Sequence, residues 1–276
     1  MSDSRLNRRE FLWGATLAPA VRAHPAASRQ AVIVLDPHDA VASAPPVRWA
    51  ATQLEEALRA SGWGVERRDV LGEAPADAWV LPIAGASAPA ARDILKAHGL
   101  AFPATPESLA IAAGRLADRS VTLACGSDVR GAVYATLELA DRLRHAADAE
   151  AALRTTTPVA EKPANRIRSI ARCFESDVED KPWFHDKAFW QAYLTMLATQ
   201  RYNRFSLTLG LGYNRPRNVR DVYFYFAYPF LVSVPGYNVR ARPLPDAERD
   251  RNFQMLRFIG EETARRGLQF QLALWT

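Results

Sequence analysis

Four acidic residues that follow a short apolar run are the side chains best suited to chemistry in this sequence. The run spans 166–174, and the acids are Glu175, Asp177, Glu179 and Asp180. Paired carboxylates are the groups that general acid–base catalysis needs, and cleavage of a glycosidic bond uses two of them. A solvated acidic loop is the simplest alternative, and hydrogen bonding to substrate or a calcium site are others. We take Glu175 as a candidate substrate contact and name no catalytic acid or nucleophile.

Three arginines lie within this run, and two of them, Arg168 and Arg172, are candidates for a functional contact. Arg168 and Arg172 share one face of the expected strand, because alternate side chains of an extended chain point the same way. An arginine inside a folded unit needs an anion or several hydrogen-bond acceptors. The pair therefore predicts contacts with substrate, or a structural salt bridge to a later strand.

Aromatic and amide side chains follow two further apolar runs. Tyr213 and Asn214 come after the run 204–211, and Trp275 closes the run 268–275. Aromatic faces stack on apolar ring faces, and an asparagine amide both donates and accepts hydrogen bonds. These three residues are candidate substrate contacts, with packing in a loop or core as the alternative.

The elements that must position these residues alternate in type. Strand-like runs at 166–174, 204–211 and 268–275 are separated by helical patterns at 186–199 and 246–266. This order predicts parallel strand–helix–strand units.

The strand 204–211 indicates what lies on each of its faces. Phe205, Leu207 and Leu209 alternate with Ser206 and Thr208. Small polar side chains are not expected to face an apolar helix layer, so we expect them to point into a barrel with the leucines outward. A doubly wound sheet would be apolar on both faces. The pattern therefore favours a (β/α)₈ barrel over a Rossmann-like sheet.

The front of the chain predicts a small α+β domain over 30–145. Its signals are an apolar strand at 30–36, an amphipathic helix from 46 to Gly62, a hairpin over 107–125 and a helix that follows Gly126. We expect a mixed sheet with helices on one face. The polar, alanine-rich segment 146–164 is interpreted as a linker.

Two stretches resemble a known group of enzymes. The segment Gly126 to Tyr134, with Gly131 and Tyr134 at their usual spacing, resembles the accessory domain that precedes the barrel in β-hexosaminidases (family 20), α-glucuronidases (family 67) and O-GlcNAcase-like enzymes. The run Gln-Arg-Tyr-Asn-Arg-Phe ending at Phe205 is similar to the barrel opening of the hexosaminidase group.

The resemblance implies a glycoside hydrolase that acts on poly- or oligosaccharides without a cofactor. It also implies that an arginine of the first barrel strand binds sugar hydroxyls. Arg168 is the best positional match, although the usual Arg-Gly is replaced here by Arg168-Ser169. In these families the catalytic acid comes from the fourth strand or later. A barrel needs about 250 residues and eight strands, and 165–276 provides three, so we expect a truncated, inactive fragment.

The N-terminus resembles a twin-arginine export signal. Arg8 and Arg9 are followed by Phe11 and Leu12, then by a mildly apolar stretch rich in small residues. We interpret 1–27 as a signal peptide. It predicts export by the twin-arginine translocation machinery to the periplasm or the cell exterior.

Composition excludes several other classes. Hydrophobic residues make up 49% and charged residues 24%, which is typical of a globular protein. The net charge is +5, but the arginines are scattered, so nucleic acid is not an expected partner. No apolar run is long enough for a stable membrane span. The two cysteines and five histidines lack metal-ligand spacing, and the Gly126–Gly131 loop lacks the Lys-Ser/Thr of a phosphate loop.

Three hypotheses remain. The first is the front part of an exported glycoside hydrolase with an accessory domain and a barrel. The second is an exported carbohydrate-binding protein without catalysis. The third is a different barrel or α/β enzyme. A pair of carboxylates after a fourth strand would distinguish the first from the second.

Overall fold

The described residues form two β-sheets, each with its own helices. The structure is a computed structural model that describes residues 29–116, 118–154, 157–174, 177–209, 230–237 and 244–274. The signal peptide expected at 1–27 lies outside these ranges. A search of the described helices finds none with the length and apolar character that a membrane crossing requires.

The first unit is built on a six-stranded mixed sheet. Its strands are β1 (Gln30–Val34), β2 (Gly64–Arg68), β3 (Trp79–Gly85), β4 (Leu109–Leu116), β5 (Arg119–Gly126) and β6 (Val159–Glu161). Its helices are α1 (Pro45–Ala60), α2 (Pro89–Ala97), α3 (Val129–His145) and α4 (Ala149–Arg154). The strand order is β2-β1-β3-β5-β4-β6. β1 pairs in parallel with β2 and β3, β3 pairs in parallel with β5, and β4 is antiparallel to β5 and β6.

Helices cover both faces of this sheet. α1 and α3 pack on one face, where Leu54 and Leu137 share a core with Leu81. α2 covers the other face, where Ile94 packs with Val80. The sequence led us to expect helices on one face only. The continuous apolar run of β1 explains the difference, because every residue in such a strand needs cover.

The segment expected to be a linker belongs to the first unit. Within 146–164, α4 buries Leu153 completely, and the Thr122 hydroxyl donates a hydrogen bond to the Leu153 carbonyl at 2.7 Å. β6 then pairs with β4, with Val159 opposite Ile111. β6 is a short edge strand whose Ala160 and Glu161 are exposed, and a short strand with a charged residue suits the unpaired edge of a sheet.

The second unit, as far as the structure describes it, contains three parallel strands in the order β7-β8-β9. The strands are β7 (Ser169–Phe174), β8 (Arg204–Leu209) and β9 (Gln269–Leu274), and the helices are α5 (Asp177–Phe184), α6 (Lys187–Thr199) and α7 (Asp246–Arg265). Asp186 caps α6, because its carboxylate accepts a hydrogen bond from the Phe189 amide at 3.0 Å. The α/β fold class is confirmed: a mixed sheet with helices is followed by parallel strand–helix units. α5 occupies a stretch that the sequence suggested was a loop.

The two units contact each other at the amino ends of β7, β8 and β9. Ala198 of α6 belongs to the buried core of the first unit. The Arg266 guanidinium lies 5.0 Å from the ring centre of Trp49 in α1. Arg130, in the first turn of α3, donates a hydrogen bond from Nε to the Gly267 carbonyl at 2.7 Å. The first unit therefore supports the end of the second sheet where its strands begin.

Candidate functional site

The second sheet has one apolar face and one polar face. Phe205, Leu207 and Leu209 are fully buried in the helix-side core. The opposite face carries the alternate residues of all three strands, namely Ser169, Ala171, Cys173, Arg204, Ser206, Thr208, Gln269, Gln271 and Ala273. The Ser206 hydroxyl donates across the sheet to Oε1 of Gln271 at 3.1 Å. The alternation expected for β8 is thus present in the structure.

The carboxyl ends of the strands are the place where barrel active sites form. β7, β8 and β9 are parallel, so these ends share one edge of the sheet. Four predicted contacts follow these strands in the sequence, but Glu175, Tyr213, Asn214 and Trp275 lie outside the described residues. Of the acids after β7, Asp180 lies in α5, where its Oδ1 accepts a hydrogen bond from Trp183 Nε1 at 2.8 Å.

Arg172 faces the helices and not the polar face, which corrects the sequence-based expectation. Its guanidinium carbon lies 4.1 Å from the ring centre of Trp183, 4.9 Å from that of Phe189 and 5.7 Å from that of Tyr193. Phe174 of the same strand is fully buried in the helix-side core, and Arg172 shares its face. Aromatic rings attract a guanidinium, so these three rings are favourable partners for Arg172 on the helix side of the strand. Arg172 is therefore part of the packing.

Arg168 also departs from its expected place. It precedes β7 at the amino end of the sheet, opposite the edge where substrate is expected. Its Nη2 donates hydrogen bonds to Glu107 and to the Tyr134 hydroxyl, Nε donates to the Arg201 carbonyl at 2.6 Å, and Nη1 donates to the Asn165 carbonyl at 2.8 Å. These bonds use four of the five guanidinium donors. Arg168 therefore forms a salt bridge, as one of the two alternatives predicted, but its partner is Glu107 of the first unit and not a residue of a later strand.

Glu107 is the centre of this contact between the units. Its side chain is 9% exposed, and its Oε1 accepts hydrogen bonds at 2.9 Å from both Arg130 Nη1 and Asn203 Nδ2. Burial raises the pKa of Glu107, but hydrogen bonds from Asn203, Arg168 and Arg130 outweigh burial and hold the pKa below its ordinary value. We call Glu107, Arg130, Arg168, Asn203 and Tyr134 the Glu107 cluster.

The Glu107 cluster is structural. Burial, followed by the charge of Glu107, raises the pKa of Tyr134 above its ordinary value, so the phenol stays protonated. Its hydroxyl donates to the Tyr202 carbonyl at 3.2 Å. A carboxylate held ionised and a phenol held neutral are poor proton-transfer groups near neutral pH. Tyr134 belongs to the segment that carries the family resemblance, whereas no local pattern marks Glu107, because its partner Asn203 is 96 residues away.

Close packing explains the glycine-rich loop. A Cβ on Gly126 would lie 2.0 Å from the Ala132 amide nitrogen, and one on Gly131 would lie 2.1 Å from the Ser108 carbonyl oxygen. Asp128 caps α3, accepting hydrogen bonds from the amides of Gly131 and Glu107, each at 2.9 Å. The two glycines thus let the start of α3 approach the start of β4.

The two cysteines differ in burial. Burial raises the pKa of Cys125 to about 12, so this thiol is unreactive near neutral pH. Cys173 is half-buried on the polar face of the second sheet. Across the part of the chain that the structure describes, histidine, cysteine and acidic side chains form no group of three or more that could hold a metal ion.

Comparison with solved structures identifies a shared fold. A GH138 enzyme targeting pectin rhamnogalacturonan II matches with a TM-score of 0.57 and 19% identity over 89% of this chain. The matched region is 24% of that enzyme, so this chain spans about a quarter of its length. CpGH84D aligns over 88% of this chain and 40% of its own, with 10% identity and a TM-score of 0.42.

No family model matches the sequence, and neither does any curated protein. At 19% identity, the likeness to the GH138 enzyme concerns the fold alone. It extends over nearly all of this chain. The arrangement of a mixed-sheet unit followed by parallel strand–helix units is therefore one that occurs within a glycoside hydrolase.

Proposed function

We propose that this chain is the front part of an exported glycoside hydrolase and that it contacts a poly- or oligosaccharide at the carboxyl edge of the second sheet. One observation carries the proposal: this chain, whose fold resembles part of a GH138 enzyme, has a sheet with a polar face turned away from its helices. In a barrel the face away from the helices turns inward, and the active site forms at the carboxyl ends of the strands.

The residues of the polar face suit sugar hydroxyls. Ser206 and Thr208 offer hydroxyl groups and Gln271 offers an amide, and each of these groups both donates and accepts hydrogen bonds. In the proposed arrangement Glu175, Tyr213, Asn214 and Trp275 add a carboxylate, an amide and two aromatic faces where the strands end. We place the catalytic carboxylates outside residues 1–276, so this chain binds the sugar without cleaving it.

Glycan binding by the 276-residue chain tests the proposal directly. The probes are oligosaccharides prepared from pectin rhamnogalacturonan II, because that is the target of the similar GH138 enzyme. We expect binding by calorimetry without release of reducing ends. The Asn214→Ala and Trp275→Ala variants should each weaken binding about tenfold, which corresponds to the loss of one good polar or stacking contact.

A matched control excludes a general effect of mutation. Arg59→Ala removes an exposed arginine of α1 in the first unit and should leave the affinity unchanged. The proposal fails if no oligosaccharide of a broad panel binds. It also fails if neither of the two variants changes the affinity.

Export is tested separately. The proposal rests on Arg8 and Arg9 followed by Phe11 and Leu12. Residues 1–35 fused to a reporter should reach the periplasm of a bacterium that has the twin-arginine machinery. Replacing both Arg8 and Arg9 with lysine should abolish export, whereas Arg5→Lys, the matched control, should not. Export that survives the double replacement would contradict the proposal.

A further inference from the structure

A cationic groove lies on the outer surface of the second unit, between α6 and α7. It encloses about 570 Å³ and is lined by His185, Lys187, Arg251, Gln254, Met255, Arg257, Phe258 and Glu261. This volume lies within the range of small-ligand sites, about 300–1,000 Å³. The groove is separate from the polar face of the sheet, because α6 and α7 cover the opposite, apolar face.

The charges in the groove are unbalanced. Arg257 pairs with Glu261 at 2.8 Å, which neutralises one cation. Lys187 and Arg251 are exposed, and no carboxylate within the described ranges forms an ion pair with either of them. The Nζ of Lys187 lies 5.1 Å from the ring centre of Phe258, so an aromatic ring is one of its contacts. Two positive charges are therefore available to a ligand.

The remaining lining adds apolar surface and a hydrogen-bonding group. Met255 is buried and Phe258 is half-buried, so the groove has an apolar floor. Gln254 supplies an amide. Burial lowers the pKa of His185, and the nearby Arg251 lowers it further, so the imidazole is neutral near pH 7. Such a floor suits the apolar face of a sugar ring, whereas the cations suit a carboxylate on it.

We infer that this groove is a second glycan-binding site, outside the barrel mouth, that selects acidic sugars through Lys187 and Arg251. The inference rests on the proposed function, because the choice of a carbohydrate over other anions follows from it. A carboxylate on the sugar would replace the Phe258 ring as the partner of Lys187 and would reach Arg251 across the groove. Both contacts lie near the protein surface, so salt weakens them.

Calorimetry with two matched probes tests the inference on the 276-residue chain. The probes are a galacturonate hexamer and a neutral galactose hexamer. We expect the acidic hexamer to bind at least about tenfold more tightly than the neutral one at low salt, and this preference to shrink in 0.5 M NaCl. A double variant, Lys187→Ala with Arg251→Ala, should abolish the preference. Both side chains are exposed, so the thermal unfolding midpoint should not change.

The matched control removes an arginine and a lysine elsewhere. Arg92 and Lys96 lie on the exposed side of α2, four residues apart, and form no ion pair among the described residues. Arg92→Ala with Lys96→Ala lowers the net charge equally and should keep the preference. If the control loses the preference as well, net charge and not the groove is responsible, and the inference is wrong.

The remaining outcomes distinguish the groove from the proposed function. If the acidic and neutral hexamers bind equally and Trp275→Ala weakens both, the proposed function stands and the groove inference is wrong. If a poly-aspartate peptide binds as tightly as the galacturonate hexamer, and binding depends on Lys187 and Arg251, the site takes anions of any kind and the assignment to carbohydrate is wrong. If no glycan binds at all, both proposals fail.

Discussion

Glu107 stays ionised in a nearly buried position because several donors surround it. Its backbone also adopts a left-handed conformation, with φ of 64°, which is uncommon for a residue other than glycine. Such strain costs about 1 kcal/mol, and it persists only where other contacts enforce it. Hydrogen bonds from Arg130, Arg168 and Asn203 provide that enforcement.

Replacing Glu107 with glutamine should therefore lower the free energy of unfolding by about 2–4 kcal/mol. The amide keeps a hydrogen bond to Asn203, but it leaves the partly buried Arg130 and Arg168 without their anion, and an unpaired charge that is shielded from water is costly. Urea unfolding of the 276-residue chain measures the change. Glu55→Gln breaks exposed ion pairs to Arg59 and Arg67, so as a control it should cost less than about 1 kcal/mol. Equal losses in the two variants would contradict a special role for Glu107.

The same carboxylate predicts a pH dependence with a definite sign. The pKa of Glu107 is lower in the folded chain than in the unfolded chain. Its contribution to stability is therefore complete above the unfolded pKa, about 4.3, and is lost as the pH falls through the folded pKa. The stability difference between the wild type and Glu107→Gln should be largest at pH 7 and should shrink toward pH 3. A difference that stays constant over this range would show that the charge of Glu107 is not what stabilises the contact.

At the scale of elements, the turn between β5 and α3 depends on two positions without side chains. An added Cβ at Gly131 would overlap a backbone oxygen, which a rotamer change cannot relieve. Gly131→Ala should thus lower the free energy of unfolding by about 3 kcal/mol. Gly72→Ala is the control, because nothing lies within 4 Å of its added Cβ, and it should change stability by less than about 0.5 kcal/mol. Thermal unfolding compares the two, and a mild effect at Gly131 would mean that α3 can move away from β4.

The elements themselves were largely predictable from local patterns. The period of apolar residues marked α6 and α7, and the alternation of Phe205 with Ser206 marked the two faces of β8. The prediction for Arg172 was wrong. We expected its charge to turn it away from the helices, but the packing of its neighbours determines which face of the strand it occupies. Ile170 and Phe174 share the face of Arg172, and their burial against α5 and α6 fixes the strand. Aromatic rings from helices later in the chain made that position tolerable, and no local pattern shows this.

At the scale of the whole molecule, the sequence predicted two units but not how they join. The hydrogen bond between Glu107 and Asn203 links residues 96 positions apart. Neither residue lies in a sequence motif from which the other could be predicted as its partner. We expected Arg168 to contact substrate because its charge needs a partner. The first unit supplies that partner, which is Glu107. The candidate substrate edge was predictable from the strand order alone, since the carboxyl ends of parallel strands meet at one edge.

The two units should differ in local stability. β3 is covered by α1 and α3 on one face and by α2 on the other, whereas the described helices cover only one face of β8. Strands with less buried surface open at lower free energy. In hydrogen exchange of the 276-residue chain, we expect the amides of β8 to exchange at least about tenfold faster than those of β3, which corresponds to about 1.4 kcal/mol.

Weakening the contact between the units should increase that difference. Arg130→Ala removes the hydrogen bond to the Gly267 carbonyl and one ion pair of the Glu107 cluster. Exchange should then accelerate in β8 and β9 but not in β3, because the core of the first unit does not depend on Arg130. Arg59→Ala removes an exposed ion pair to Glu55 and a hydrogen bond to the Val65 carbonyl, both at the surface of the first unit, and should leave both patterns unchanged. Equal acceleration in β3 and β8 would mean that the units open together, and then the first unit would be part of the same folding unit as the sheet and not a separate support for it.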